Sequence, residues 1–127
     1  MKIKNITIGI KSAEQGLKEF TRTIKNIQKG SIPKAKKEAT YFVNVEAFHS
    51  VLTLKRLELL HVIRENKPHS IYELANLVKR DLKNVQNDVS LLNRIGLVQI
   101  SKSTQARNRV TPYVEYDRLQ VQIPVAY

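Results

Sequence analysis

Apolar residues recur along this chain with two different periods. From Lys4 onward residues 2–10 alternate, with Ile6, Ile8 and Ile10 on one side, which is the period of a strand. At Ser12 the period changes. Ser12 and Gln15 form a capping box, and Leu17, Phe20, Ile24 and Ile27 trace one helical stripe that Gly30 closes. Lys18, Arg22, Lys25 and Lys29 hold the opposite face at the same spacing, a basic ridge that can track phosphates, bind an acidic protein or solvate a helix. Residues 31–40, S-I-P-K-A-K-K-E-A-T, have no apolar period and read as a linker.

A short β-like run, Tyr41 to Val45, precedes three helices marked by their caps. The first starts at Thr53, and Leu54, Leu57, Leu59, Leu60 and Ile63 make it apolar over much of its girth, which predicts a central position. It stops before Pro68. Ser70 and Glu73 then form a second capping box, followed by Ile71, Leu74, Ala75 and Val78 at helical spacing. Asp81 caps the third, in which Leu82, Val85, Val89 and Leu92 face inward, extended by Leu91 and Ile95, and Gly96 ends it. Val98 and Ile100 begin a strand. The polar stretch S-K-S-T-Q-A-R-N-R follows, and Val114, Tyr116, Leu119, Val121 and Ile123 alternate again, as a hairpin and one further strand would.

Three helices, the second short and joined to the third by a tight polar corner, with a hairpin directly after, predict an α+β chain of winged helix-turn-helix type with an N-terminal strand-helix extension. The expected division is an arm and basic linker over 1–46, for dimer or partner binding, and a DNA-binding domain over 47–127.

Charge adds a partner class. The 22 basic and 11 acidic residues give a net charge of +11, which favours a polyanion because each neutralised phosphate releases condensed counterions. Residues 1–40 hold ten basic and three acidic groups, a net of +7, so the arm is the more basic part. The chain has no cysteine, which removes disulfides, zinc-thiolate sites and thiol nucleophiles. The N-terminal apolar run is too short and too polar for a signal segment, and no stretch approaches a membrane span, so a soluble cytoplasmic protein is expected.

In this reading the third helix enters the major groove while the two behind it hold its angle. Its outward positions include Lys83, Asn84, Asn87, Ser90 and Arg94, with Gln86 and Asn93 beside them. Amide side chains bond adenine bidentately and cationic ones bond guanine; an ordinary solvated helix face would look similar. Lys79 and Arg80 occupy the turn before it, where side chains meet phosphates. Arg80 has an alternative role, pairing with Asp81 or Asp88 to brace the turn. In the hairpin, Lys102, Arg107 and Arg109 are candidates for backbone or minor-groove contact, against a loop that is basic for solubility.

Catalytic signals are lacking. His49, His61 and His69 show no metal-ligand spacing, and there is no glycine-rich phosphate loop or nucleophile elbow. The expectation is therefore no enzyme, no cofactor and no metal.

The runs L-T-L-K-R-L-E-L-L, K-P-H-S-I-Y-E-L-A, R-D-L-K-N-V-Q-N-D-V and L-L-N-R-I-G-L-V, within residues 52–98, resemble a family of small archaeal and bacterial DNA-binding proteins, broadly MarR-like winged-helix regulators. The tail Y-V-E-Y-D-R-L-Q-V-Q-I-P is similar to that family's end. The resemblance implies an autoregulating repressor and antitoxin that binds both its operator and a cognate toxin, with residues 1–46 as the natural toxin-binding or dimer-forming part. Ser90 and Asn93 depart from it, being small and polar rather than basic, which shifts weight to the arm and hairpin. The expected assembly is a homodimer on a pseudo-palindromic operator in double-stranded DNA, with the strand at 2–10 or the last strand as its seam. The alternatives are a stand-alone MarR-like regulator without a toxin, and a nonspecific basic nucleic-acid-binding protein.

Overall fold

The computed structural model describes residues 1–10, 39–103 and 109–125. The helix expected over 12–30, its basic ridge, most of the linker, and Arg107 lie outside them. The described residues form a mixed α+β fold with four helices and two small sheets. In chain order these are β1 (Ile3–Ile8), β2 (Ala39–Phe42), α1 (Val45–Val51), α2 (Leu54–Asn66), α3 (Ile71–Val78), α4 (Leu82–Arg94), β3 (Gln99–Ser103), β4 (Arg109–Tyr113) and β5 (Arg118–Gln122).

One sheet has the order β2-β1-β5, with both neighbours parallel to β1; the other is the antiparallel hairpin β3-β4. Since β1 has a partner on each side, the strand at 2–10 is not the open edge proposed for a dimer seam. Its alternation places Lys4, Ile6 and Ile8 in one buried row. Ile10 lies beyond the strand and is exposed. Beside β2 the chain runs close: the Gly9 amide donates to the Phe42 carbonyl at 2.7 Å, and a methyl on Gly9 would stand 2.8 Å from the Val43 carbonyl oxygen.

The helices follow from their caps. Thr53, Ser70 and Asp81 each accept from the backbone amide three residues on, at 3.3, 3.0 and 3.2 Å, satisfying donors that the first helical turn leaves unpaired. Glu73 closes its box one residue earlier than the usual pattern, its carboxylate accepting from the His69 amide at 3.1 Å. Gly96, at φ 84°, takes the left-handed turn after α4. Helix α1 was not anticipated; Asn44 caps it, accepting from the Ala47 amide at 2.9 Å, and Phe48 packs edge-on against Phe42.

The core joins all layers: Ile6, Ile8 and Phe42 from the sheet, Leu59, Leu60 and Ile63 from α2, Leu74 and Ala75 from α3, Val85, Val89 and Leu92 from α4, then Leu97, Val98 and Val114. Three expectations need correction. Leu54 is 83% exposed and Leu57 also faces out, because α2 buries one side only, through Leu59, Leu60 and Ile63. Leu82, in the first turn of α4, is likewise exposed. The returning hairpin strand is 109–113 rather than one starting at Val114. It accommodates Pro112 opposite Ile100, since in a two-stranded ladder each strand keeps an edge where a missing amide costs nothing.

Candidate nucleic-acid interface

Helix α4 turns about 100° per residue, so positions 83, 87, 90 and 94 fall within roughly 60° of one line that runs about 16 Å along the rod. Lys83, Asn87, Ser90 and Arg94 occupy that line and all are exposed; Asn84 and Gln86 flank it on either side and are exposed too. Val85, Val89 and Leu92 hold the opposite side at zero exposure. Leu82 and Asn93 apart, the amphipathic split read from the sequence is the split the fold makes. Asn93 faces away from the stripe, its amide donating to the Val98 carbonyl at 2.8 Å to bind the turn after α4.

The one carboxylate of α4, Asp88, lies about 130° round the helix from the centre of that stripe, toward the buried side. Asp88 is bonded to Arg80 Nη2 at 2.7 Å and to Arg56 Nε at 3.1 Å, and Arg56 Nη1 also bonds the Ser50 and Val51 carbonyls at 2.9 and 2.8 Å. One carboxylate thus ties α4 to the α3–α4 turn and, through Arg56, to the end of α1. Of the two roles left open for Arg80, the fold shows the brace with Asp88; its Nη1 is buried without a partner among the described residues. The exposed residues of α4 are Leu82, Lys83, Asn84, Gln86, Asn87, Ser90 and Arg94, a set without a carboxylate. Such a face offers donors and cations to phosphate oxygens and base edges.

The α3–α4 turn is three residues long, and Lys79 sits in it in the left-handed conformation at φ 56°, exposed. The turn closes through bonds from the Lys79 and Arg80 amides to Asn76 and Ala75 carbonyls at 3.3 and 3.1 Å. Ser70 is engaged as the cap of α3, and Tyr72 beside it is exposed.

Lys102 and Arg109 lie at the far end of the hairpin, both exposed. Lys102 is opposite Val110 and Arg109 opposite Ser103, so the two cations project from opposite faces of the ladder. A duplex lying flat on one face would meet one of them; a groove that received the hairpin end would meet both. Thr111 Oγ1 donates to the His69 carbonyl at 2.7 Å and Arg64 Nη1 to the Val114 carbonyl at 3.1 Å, which tie the hairpin and the residue after it to the helices, and Tyr116 Oη donates to the Leu97 carbonyl at 2.7 Å, which closes the hairpin's base. Burial pushes the Tyr116 phenol up, keeping it a donor across the working pH range.

Sequence reasoning missed Arg56. It lies inside a leucine-rich run with nothing in its spacing to single it out, and its role depends on a carboxylate 32 residues away. Among the described residues no group of three or more His, Cys, Asp or Glu could hold a metal ion, and no helix is long and apolar enough to cross a membrane.

Residues 51–121 match the HVO_A0114 family, a span that takes in α2, α3, α4, the hairpin and nearly all of β5. The chain belongs to the HVO_A0114 family. The HVO_A0114 segment includes every candidate contact residue named above and leaves out β1 and β2, although β1 is the strand to which β5 pairs. No curated protein and no solved structure matches the chain.

Proposed function

We propose that this chain is a sequence-specific DNA-binding regulator of winged helix-turn-helix type, with α4 as the groove-reading helix and β3-β4 as its wing. The observation that carries this reading is the exposed stripe of Lys83, Asn87, Ser90 and Arg94, a face without a carboxylate, Asp88 lying well round the helix from it in bonds to Arg56 and Arg80. The order of three helices and a hairpin supports it, as does the net charge of +11. Two copies on a pseudo-palindromic operator would set half-sites about 34–36 Å apart. Lys79, Lys102 and Arg109 serve as phosphate contacts, and Asn84 as a flanking base or sugar contact. This is a binding role without catalysis, in the cytoplasm.

The test is competition between a fragment of the gene's own promoter and a shuffled fragment at about 150 mM salt, where nonspecific binding is weak. Lys83→Ala and Asn87→Ala should each narrow the gap between the two fragments, by the equivalent of about 1–3 kcal/mol of discrimination. Equal binding of both fragments by the unmodified protein would refute specific recognition and leave the nonspecific reading.

A second role, holding a protein partner such as a toxin, is favoured by Leu54 and Leu57, exposed on α2 outside the α4 stripe. Leu54→Asp with Leu57→Asp should abolish co-purification with the neighbouring gene's product and leave promoter binding unchanged. Retained co-purification would dismiss α2 as the partner surface.

A further inference from the structure

The last strand of the described fold is covered on one side only. β5 forms an edge of the three-stranded sheet, and among the described residues no strand pairs with its outer side. Its register with β1 sets Leu119 beside Lys4 and Val121 beside Ile6; parallel partners share a face, so these side chains point the same way as the core. Ile6 is at 0% exposure, yet Val121 is at 46% and Ile123, one residue past the strand's end, at 47%. The core therefore thins out across β5, where Leu119 still packs against it and Val121 does not, leaving apolar side chains and a line of backbone donors and acceptors at the border.

We infer that two copies of this chain associate along β5, antiparallel and centred on Val121, joining their sheets into one continuous sheet. The segment Leu119-Gln120-Val121-Gln122-Ile123 reads almost identically in both directions. A two-fold axis through Val121 sets valine opposite valine, Gln120 opposite Gln122 and Leu119 opposite Ile123, so apolar side chains meet on the inner face and amides on the outer. That is the self-complementarity an isologous contact requires. Roughly four to six backbone hydrogen bonds form across such an overlap, depending on which residues point their amides outward.

Charge selects this occupant over others. Copies carrying +11 each repel least where they meet on neutral surface, and residues 119–123 carry no charge. Arg118 of one copy falls opposite Pro124 of the other, which separates the two Arg118 side chains by about 20 Å along the strands, more than twice the screening length of about 8 Å at physiological salt. The devices that keep a monomer's edge single, an edge lysine, a proline or a bulge, are absent from 119–123; Pro124 stands just after it and ends the ladder.

This deepens the two-copy reading proposed above, and its test uses no DNA, so the seam and the operator reading fail separately. The mass of the full chain at micromolar concentration, by light scattering, should be twice 14.6 kDa. Val121→Lys and Val121→Glu should each dissociate at least tenfold more readily with an unchanged circular dichroism spectrum, and mixing the two should restore the dimer as a heterodimer. On the solvent face, Gln120→Lys with Gln122→Lys should give monomers, whereas Gln120→Lys with Gln122→Glu should stay dimeric. A monomeric wild type, a mixture of the two Val121 variants that fails to pair, or identical behaviour of the two glutamine double variants would overturn the seam.

Discussion

Replacing Asp88 by alanine removes the single anion between two guanidinium groups. The Arg80 contact is 2.7 Å and the Arg56 contact 3.1 Å, and the three side chains are 14–22% exposed, so solvent screens the pairs only in part. Hydrogen bonds to charged groups contribute about 1.5–3 kcal/mol each. Taking the lower end for both because of that residual exposure, the loss is about 3 kcal/mol. Unfolding entropy scales with length at about 2.1 cal/mol/K per residue, so 1 kcal/mol corresponds to roughly 4 °C in Tm for a chain of this size, and Asp88→Ala should melt about 11 °C lower. The assay is thermal denaturation followed by circular dichroism, within a double-mutant cycle. Arg80→Met removes both the Asp88 bond and the unpartnered buried Nη1, so Asp88→Ala should cost clearly less in that background than in the wild type. Equal costs in both backgrounds, or a loss below about 0.5 kcal/mol in the wild type, would refute the brace.

Other consequences can be measured independently. Removing a phosphate contact flattens the dependence of log K on log salt by about one unit; Lys102→Ala and Arg109→Ala should each do so if the hairpin end enters a groove, and only one of them if the ladder lies flat on the duplex. Lys67 ends α2 in the left-handed region at φ 46°, which costs an L-residue about 1–2 kcal/mol. Lys67→Gly should relieve part of that and raise Tm by about 2–4 °C, while an unchanged or lower Tm would contradict the strain assignment. The Lys2 backbone amide and then the Arg64 guanidinium hold the Asp117 carboxyl below the usual carboxylate range. A depressed folded value means the contribution is complete above the ordinary aspartate pKa and lost as pH falls through the folded value. Asp117→Asn should therefore lower the urea midpoint above the ordinary aspartate pKa and lessen its fall on the acid side, so that the two proteins converge as pH drops. An identical acid limb in the variant would sink that assignment.

Much of this architecture could be read from local pattern because its causes are local. A serine or aspartate three residues before an unpaired amide, and apolar positions at 85, 89 and 92, need no distant partner to set a helix and its buried side. The outward stripe of α4 follows from the same period. Short or composite elements were less legible: α1 has only seven residues with valine at both ends, too few turns for a periodic signal, and β4 carries a proline that propensity reads as a strand breaker.

What the sequence by itself determined is the set of amphipathic units, their caps and the cationic, amide-rich character of one helix face. Which units meet was decided only by tertiary structure. The union of β1 with β5 joins residues 115 apart in the chain, the burial of one leucine set on α2 and exposure of another depends on which side of α2 the rest of the core covers, and the choice of Arg56 and Arg80 by Asp88 depends on three elements arriving at one point. The physical reason is that period and capping are properties of neighbours along the chain, whereas pairing and burial are set by packing between segments that the chain's local preferences do not couple.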